Sequence, residues 1–139
     1  MELKVIATDP SGKELAYLDN AEVDVDIGTD NDFELTISMA DYGENYAYGN
    51  RIFVPDTEYG GLIEDMNVIT ANDEIKLTGY TWRGLLTQKV VEPPDGADNL
   101  VLNGELNTVI RALVGDRFGD LFIVEDVNTG AVLKNWTTD

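Results

Sequence analysis

Cysteine and histidine are both absent from this 139-residue sequence. Without them there is no disulfide framework, thiolate nucleophile, Cys/His zinc site or Ser–His–Asp relay. Positive charge is scarce as well: 9 Lys and Arg stand against 27 Asp and Glu, a formal net charge of −18. Such an excess argues against specific nucleic-acid binding, which needs basic side chains to displace phosphate counterions. It disfavours anionic membrane surfaces for the same reason. No apolar run approaches the roughly 20 residues of a membrane span. Met1-Glu2-Leu3-Lys4 lacks the basic start and apolar stretch of a signal peptide, so the expectation is a protein made in the cytoplasm.

What remains is the material of a folded domain. Apolar residues make up 43% and aromatics 9%, enough for one hydrophobic core at this length. The charge is interleaved with Val, Ile, Leu, Phe and Tyr instead of being segregated, which separates the chain from disordered acidic tracts. The expectation is a soluble domain that works within an assembly.

Alternation is the main structural signal. Residues 2–8 read as a first strand, Asp9-Pro10-Ser11-Gly12 as a turn, and 14–18 as its hairpin partner. Val23, Val25 and Ile27 point one way while Glu22, Asp24 and Asp26 point the other. After a break at 28–32, Phe33, Leu35, Ile37 and Met39 alternate with Glu34, Thr36 and Ser38 as an antiparallel neighbour. Residues 51–54, 62–69 and 74–80 read as further strands, with Ile75, Leu77 and Gly79 on one side. Short strands at this spacing favour an antiparallel barrel or sandwich over any α/β layout.

The pattern then changes. Thr81 can cap a short helix near 82–88, and Val90-Val91-Glu92-Pro93-Pro94-Asp95-Gly96 reads as an extended connector. Leu106, Val109, Ile110, Leu113 and Val114 follow the helical period, predicting a substantial helix near 103–115 with Asn103 as its cap and Gly115 as its stop. Residues 121–125 and 131–136 read as strands about the Asn128-Thr129-Gly130 turn. The fold class expected is therefore mainly β (α+β), with a barrel-like domain over 1–98 and a helix plus the start of a second β unit over 99–139. That second unit reads as incomplete.

Few residues carry a chemical signature. Asp24, Asp26, Asp30, Asp32 and Glu34 form an acidic cluster, but the glycine and distal glutamate of a calcium loop are missing. The Asp30–Asp32 turn could hold Ca²⁺ weakly; the competing reading is the solvated face of a hairpin. Carboxylate pairs are uninformative in so acidic a chain, and neither Ser11 nor Ser38 sits in a nucleophile elbow. Gly115-Asp116-Arg117-Phe118-Gly119 follows a helix instead of opening one, so it is a cap and not a phosphate loop. No catalytic, cofactor or metal residue is assigned. Tyr42, Tyr46 and Tyr48 form one aromatic loop that can cover a barrel end, make a protein contact or stack a sugar. The helix near 103–115 can be core or an inter-subunit face.

Four segments carry a likeness to a known family. Asp32-Phe33-Glu34-Leu35-Thr36-Ile37-Ser38 ends two alternating strands, and Tyr48-Gly49-Asn50-Arg51-Ile52-Phe53-Val54 leads into the next. Tyr59-Gly60-Gly61-Leu62-Ile63-Glu64 follows. The most specific is the run from Ile75 to Val91, with Gly79, Thr81, Leu85, Leu86 and Lys89 at the characteristic spacing. The stretch from about Ala16 to Pro94 resembles the tail-hub proteins of siphophages and prophages, the structural proteins of the tail tip and baseplate hub. The resemblance implies a barrel-like domain in a ring, commonly a trimer, that joins the tail tube to the distal host-binding apparatus. It implies a virion tail location, with a distal tail protein and a tape measure as partners. It brings no catalytic residues and no cofactor. Family members are larger, so the resemblance makes this chain an N-terminal portion, and some relatives carry a cell-wall hydrolase domain further along. A tail channel must pass DNA without holding it, so Asp24 and Asp26 become candidate lumen-facing acids. The rival readings are an acidic module that binds a basic protein or carbohydrate, and the non-catalytic part of a larger hydrolase.

Overall fold

A strand that buries one face must carry apolar groups at every second position, and the alternating segments form strands accordingly. The computed structural model describes residues 4–19, 21–26, 32–115 and 117–137. In chain order it has β1 (Val5–Thr8), β2 (Glu14–Leu18), β3 (Glu22–Val25), β4 (Phe33–Ser38), a 3₁₀ turn (Glu44–Tyr46) and β5 (Arg51–Phe53). There follow β6 (Gly60–Ile69), β7 (Glu74–Thr81), α1 (Trp82–Thr87), β8 (Val101–Glu105), α2 (Leu106–Val114) and β9 (Val132–Thr137). The fold is mainly β, with antiparallel sheets of seven and two strands. The chain divides into two compact units, Met1–Gln88 and Lys89–Asp139; the sequence reading set this division at 98/99, beyond the Pro93-Pro94 connector.

In the first unit the strand order is β2-β1-β5-β6-β7-β4-β3. β2 and β3 are consecutive in the chain yet occupy opposite ends of this order. Val5 of β1 and Val23 and Val25 of β3 line the same narrow apolar gap, so the sheet curls far enough to bring β3 near β1. Among the described residues no ladder joins β2 to β3, so the sheet does not close into a barrel. The core is set by register. Phe33 faces Gly79, Leu35 faces Leu77 and Ile37 faces Ile75, and the apolar side chains of these pairs lie in one buried cluster with Val5, Ile52 and Ile63. Full burial of a side chain such as Leu35 or Leu77 contributes roughly 1.5–3 kcal/mol. Gly79 is required by proximity: a Cβ there would lie 1.8 Å from the Leu62 carbonyl oxygen and 2.9 Å from the Phe33 ring. Met39 does not continue β4 as its alternation suggests. Its N–H donates to the Asp73 carbonyl at 2.8 Å in a turn, and its side chain is exposed. The expected positions 2, 3 and 27–31 lie outside the described residues.

The second unit departs further from expectation. Asn103 is not a helix cap; it lies in β8, where its Oδ1 accepts from the Asn135 N–H at 2.7 Å. The cap is Glu105, whose carboxylate accepts from the Thr108 N–H at 3.0 Å and from the Thr129 N–H and hydroxyl at 2.8 and 2.7 Å. Residues 121–125 form no strand. The Glu125 carbonyl instead accepts from the Arg111 guanidinium at 3.0 Å, and Phe118 and Phe122 meet edge to face at 5.1 Å.

The Thr129 bonds, followed by those to the α2 N-terminus, hold the Glu105 carboxyl down at about 2, against an ordinary 4.5. A lowered folded-state value stabilises the cap above the ordinary value and withdraws that support as pH falls toward the lowered one. The Glu105 carboxyl resonance should therefore titrate near 2, with the Thr108 and Thr129 amides shifting in step. Thr129→Ala removes one of the two Thr129 bonds and should raise the midpoint part of the way to 4.5. A wild-type midpoint at the ordinary value would refute the assignment.

Candidate functional site

The β7–α1 junction, within the segment from Ile75 to Val91, meets a buried carboxylate. Asp32, 1% exposed, immediately precedes β4, and its Oδ1 and Oδ2 accept from the Thr81 N–H and hydroxyl, each at 2.5 Å. The same hydroxyl accepts from the Gly84 N–H at 3.0 Å, capping α1. A Cβ on Gly84 would fall 2.5 Å from Asp32 Oδ2, so glycine is the residue that lets the helix start against the carboxylate. Sequence reasoning placed Asp32 in a wet acidic turn and missed this role. Both of its oxygens are engaged with Thr81, and among the described residues no group of three or more acids is arranged to hold a metal. Asp30 and Asn31 lie outside the described residues.

Asp24 is exposed on β3, opposite Glu34 of β4. With Glu22, Thr36, Glu74 and Lys76 these side chains line a depression of about 130 Å³. Lys76 donates to Glu34 at 2.5 Å; that bond, with the charges of Glu34, Glu74 and Glu22, raises its ammonium above the ordinary value. Asp26 is also exposed and joins Asp24, Asp32 and Glu34 around a second depression. The two acids singled out by sequence thus share one outward, strongly negative face.

The tyrosine loop separates into unlike parts. Tyr46 is 3% exposed and belongs to the core, where burial, with the charge of Asp41, pushes its phenol up. Tyr42 stacks on it with ring centroids 6.5 Å apart, while Tyr48 is 78% exposed. Tyr42, Tyr46 and Tyr48 border a groove of about 260 Å³ whose other wall is Ile63 to Met66 of β6. That wall was not singled out from sequence, although a signal existed. The strand expected at 51–54 is much shorter than the one at 62–69, so part of the longer strand had to lack a partner on that side.

Replacing Thr81 with valine keeps its shape but removes the hydroxyl that serves both Asp32 and Gly84. The first unit should lose about 2–4 kcal/mol, the sum of a buried polar group left without its partner and a lost cap. Thr81→Ser should retain most of the stability, and Gly84→Ala should be as damaging as the valine. Urea unfolding followed by circular dichroism measures all three; equal midpoints for valine and wild type would contradict the account. The chain matches no protein-family model, and neither a curated protein nor a solved structure matches it.

Proposed function

We propose that this chain is a structural, non-enzymatic part of a phage or prophage tail tip or baseplate hub. In this reading copies assemble as a ring, a trimer in the assembled tail, that joins the tail tube to the distal host-binding apparatus and lets DNA pass. The observation that carries it is where the most specific likeness falls. Within the run from Ile75 to Val91, Gly79 is fixed by the close approach of the Leu62 carbonyl, and Thr81 by the bonds of its N–H and hydroxyl to the buried Asp32. Leu85 is buried with them, while Leu86, Lys89 and Val90 of the same run are exposed, so the likeness spans core and surface positions alike. The acidic face of Asp24 and Asp26 supports the same reading, since carboxylates repel passing phosphates and offer no counterion-release binding. A distal tail protein and a tape measure are the partners this reading implies. The rival reading, an acidic module for a basic protein or a carbohydrate, draws on the groove beside the exposed Tyr48.

Electron microscopy of particles from the encoding bacterium, labelled with gold-conjugated antibody to this chain, should show label at the distal tail end. Label found elsewhere, with tails bare, would overturn the proposal. Within such particles, the Asp24→Asn/Asp26→Asn double variant should slow DNA release, read by dye fluorescence on the emerging genome. An unchanged rate would remove these acids from the lumen.

A further inference from the structure

β6 is held on both sides only along its first part. There Arg51 faces Leu62, Ile52 faces Gly61 and Phe53 faces Gly60, and Gly49 and Asn50 exchange backbone bonds with Ile63 at 2.8 and 2.9 Å. The register slips between Ile63 and Asp65. Beyond that bulge, residues 65–69 pair with β7 alone, and among the described residues no strand lies on their outer edge. The Met66 N–H already donates to the Asp65 carboxylate at 2.8 Å, and the remaining unladdered N–H and C=O groups of such an edge are a template for another strand. Met66 and Val68 stand 44% and 43% exposed along this one. The groove under Tyr42 and Tyr48 begins at the same bulge, so an incoming strand would run past both rings.

We propose that an extended segment of a partner protein, alternating basic and apolar residues, docks along 65–69 as an added strand of the sheet. Its apolar side chains would meet Met66, Val68 and the tyrosines. Its basic ones would meet Glu64 and Asp65, the charged residues of the groove, which has no Lys or Arg in its wall. Charge decides against a second copy as the occupant, because each copy brings a net charge of −18 and the same acids to the contact. Nothing in this inference depends on where the protein works, so it stands or falls separately from the tail-hub reading.

The probe is a short fluorescein-labelled peptide alternating lysine and valine, titrated against the full chain by fluorescence anisotropy. Nuclear magnetic resonance on the unlabelled peptide should shift amides at 42–48 and 64–69 together. Methylating alternate backbone nitrogens of the peptide keeps its charge but removes strand donors, and binding should weaken roughly tenfold. Val68→Lys, an edge-blunting change at an exposed position, should weaken it comparably with an unaltered circular dichroism spectrum. Equal binding by the methylated peptide, or shifts confined to the Asp24 face, would show simple charge attraction and overturn the proposal. So would self-association of the chain in sedimentation that Val68→Lys abolishes, since the edge would then be occupied by a second copy.

Discussion

A carboxylate taken out of water costs several kcal/mol unless donors replace the solvent it loses. Asp32 finds both donors on one residue, Thr81, and that residue in turn caps α1. Much of the first unit depends on this meeting. The Asp32 carbonyl accepts from the Asp26 N–H at 2.9 Å, which ties the end of β3 to the start of β4. One position later the Phe33 ring crosses Gly79, where only a glycine leaves room. A slip of one residue between β4 and β7 would carry the Leu35–Leu77 and Ile37–Ile75 pairs to the wet face. It would also strand the carboxylate. The polar contact thus adds register to a sheet whose stability comes from its apolar pairs.

Charge enters differently. With 27 acids against 9 bases, most carboxylates have no cation to meet. Of the pairs among the described residues, Arg83–Glu58 and Arg111–Asp126 lie at the surface and Lys76–Glu34 is half-buried, so solvent screening leaves each with little to contribute. The acidity is therefore a load that the core carries, since self-repulsion opposes a compact state. Part of this load sits on the shared outward face of Asp24 and Asp26, with Glu22, Glu34 and Glu74 beside them.

Strand positions were legible because alternation is a local signal: 14–18, 33–38, 51–53 and 74–81 follow from the sequence nearly residue by residue. Their order in the sheet is not local, and nothing in the sequence says that β1 sits beside β5 or that β4 sits beside β7. The helix period at 106–114 was equally plain, whereas β8 was hidden because Asn103 is as good a cap in composition as Glu105 is in fact. Asp32 was misread for a physical reason. It precedes the buried Phe33, so strand parity sends it outward, but the strand begins only at Phe33 and parity has no hold one residue earlier. Tyr46 was grouped with Tyr42 and Tyr48 by spacing, and the 3₁₀ turn at Glu44–Tyr46 directs it inward. Residues 121–125 have strand composition without a partner strand; the Glu125 carbonyl at their end accepts from Asn107 and Arg111 of α2 instead.

The open edge at 65–69 follows from unequal strand lengths. β5 has three residues and β6 has ten, so β5 cannot cover it, while the far side of β7 is already occupied by β4 from Phe33–Gly79 to Ser38–Glu74. Edges left in this way are commonly blunted by lysine, proline or repeated bulges. Here one bulge separates the covered from the uncovered part, and the Asp65 carboxylate satisfies the Met66 N–H at 2.8 Å. Past that point Asn67, Val68 and Ile69 carry no charge and no proline. An acidic flank repels an identical acidic chain but attracts a basic one, whereas a lysine flank would do the reverse. The choice of acid at Glu64 and Asp65 therefore guards the edge against self-pairing and leaves it open to a strand of opposite charge.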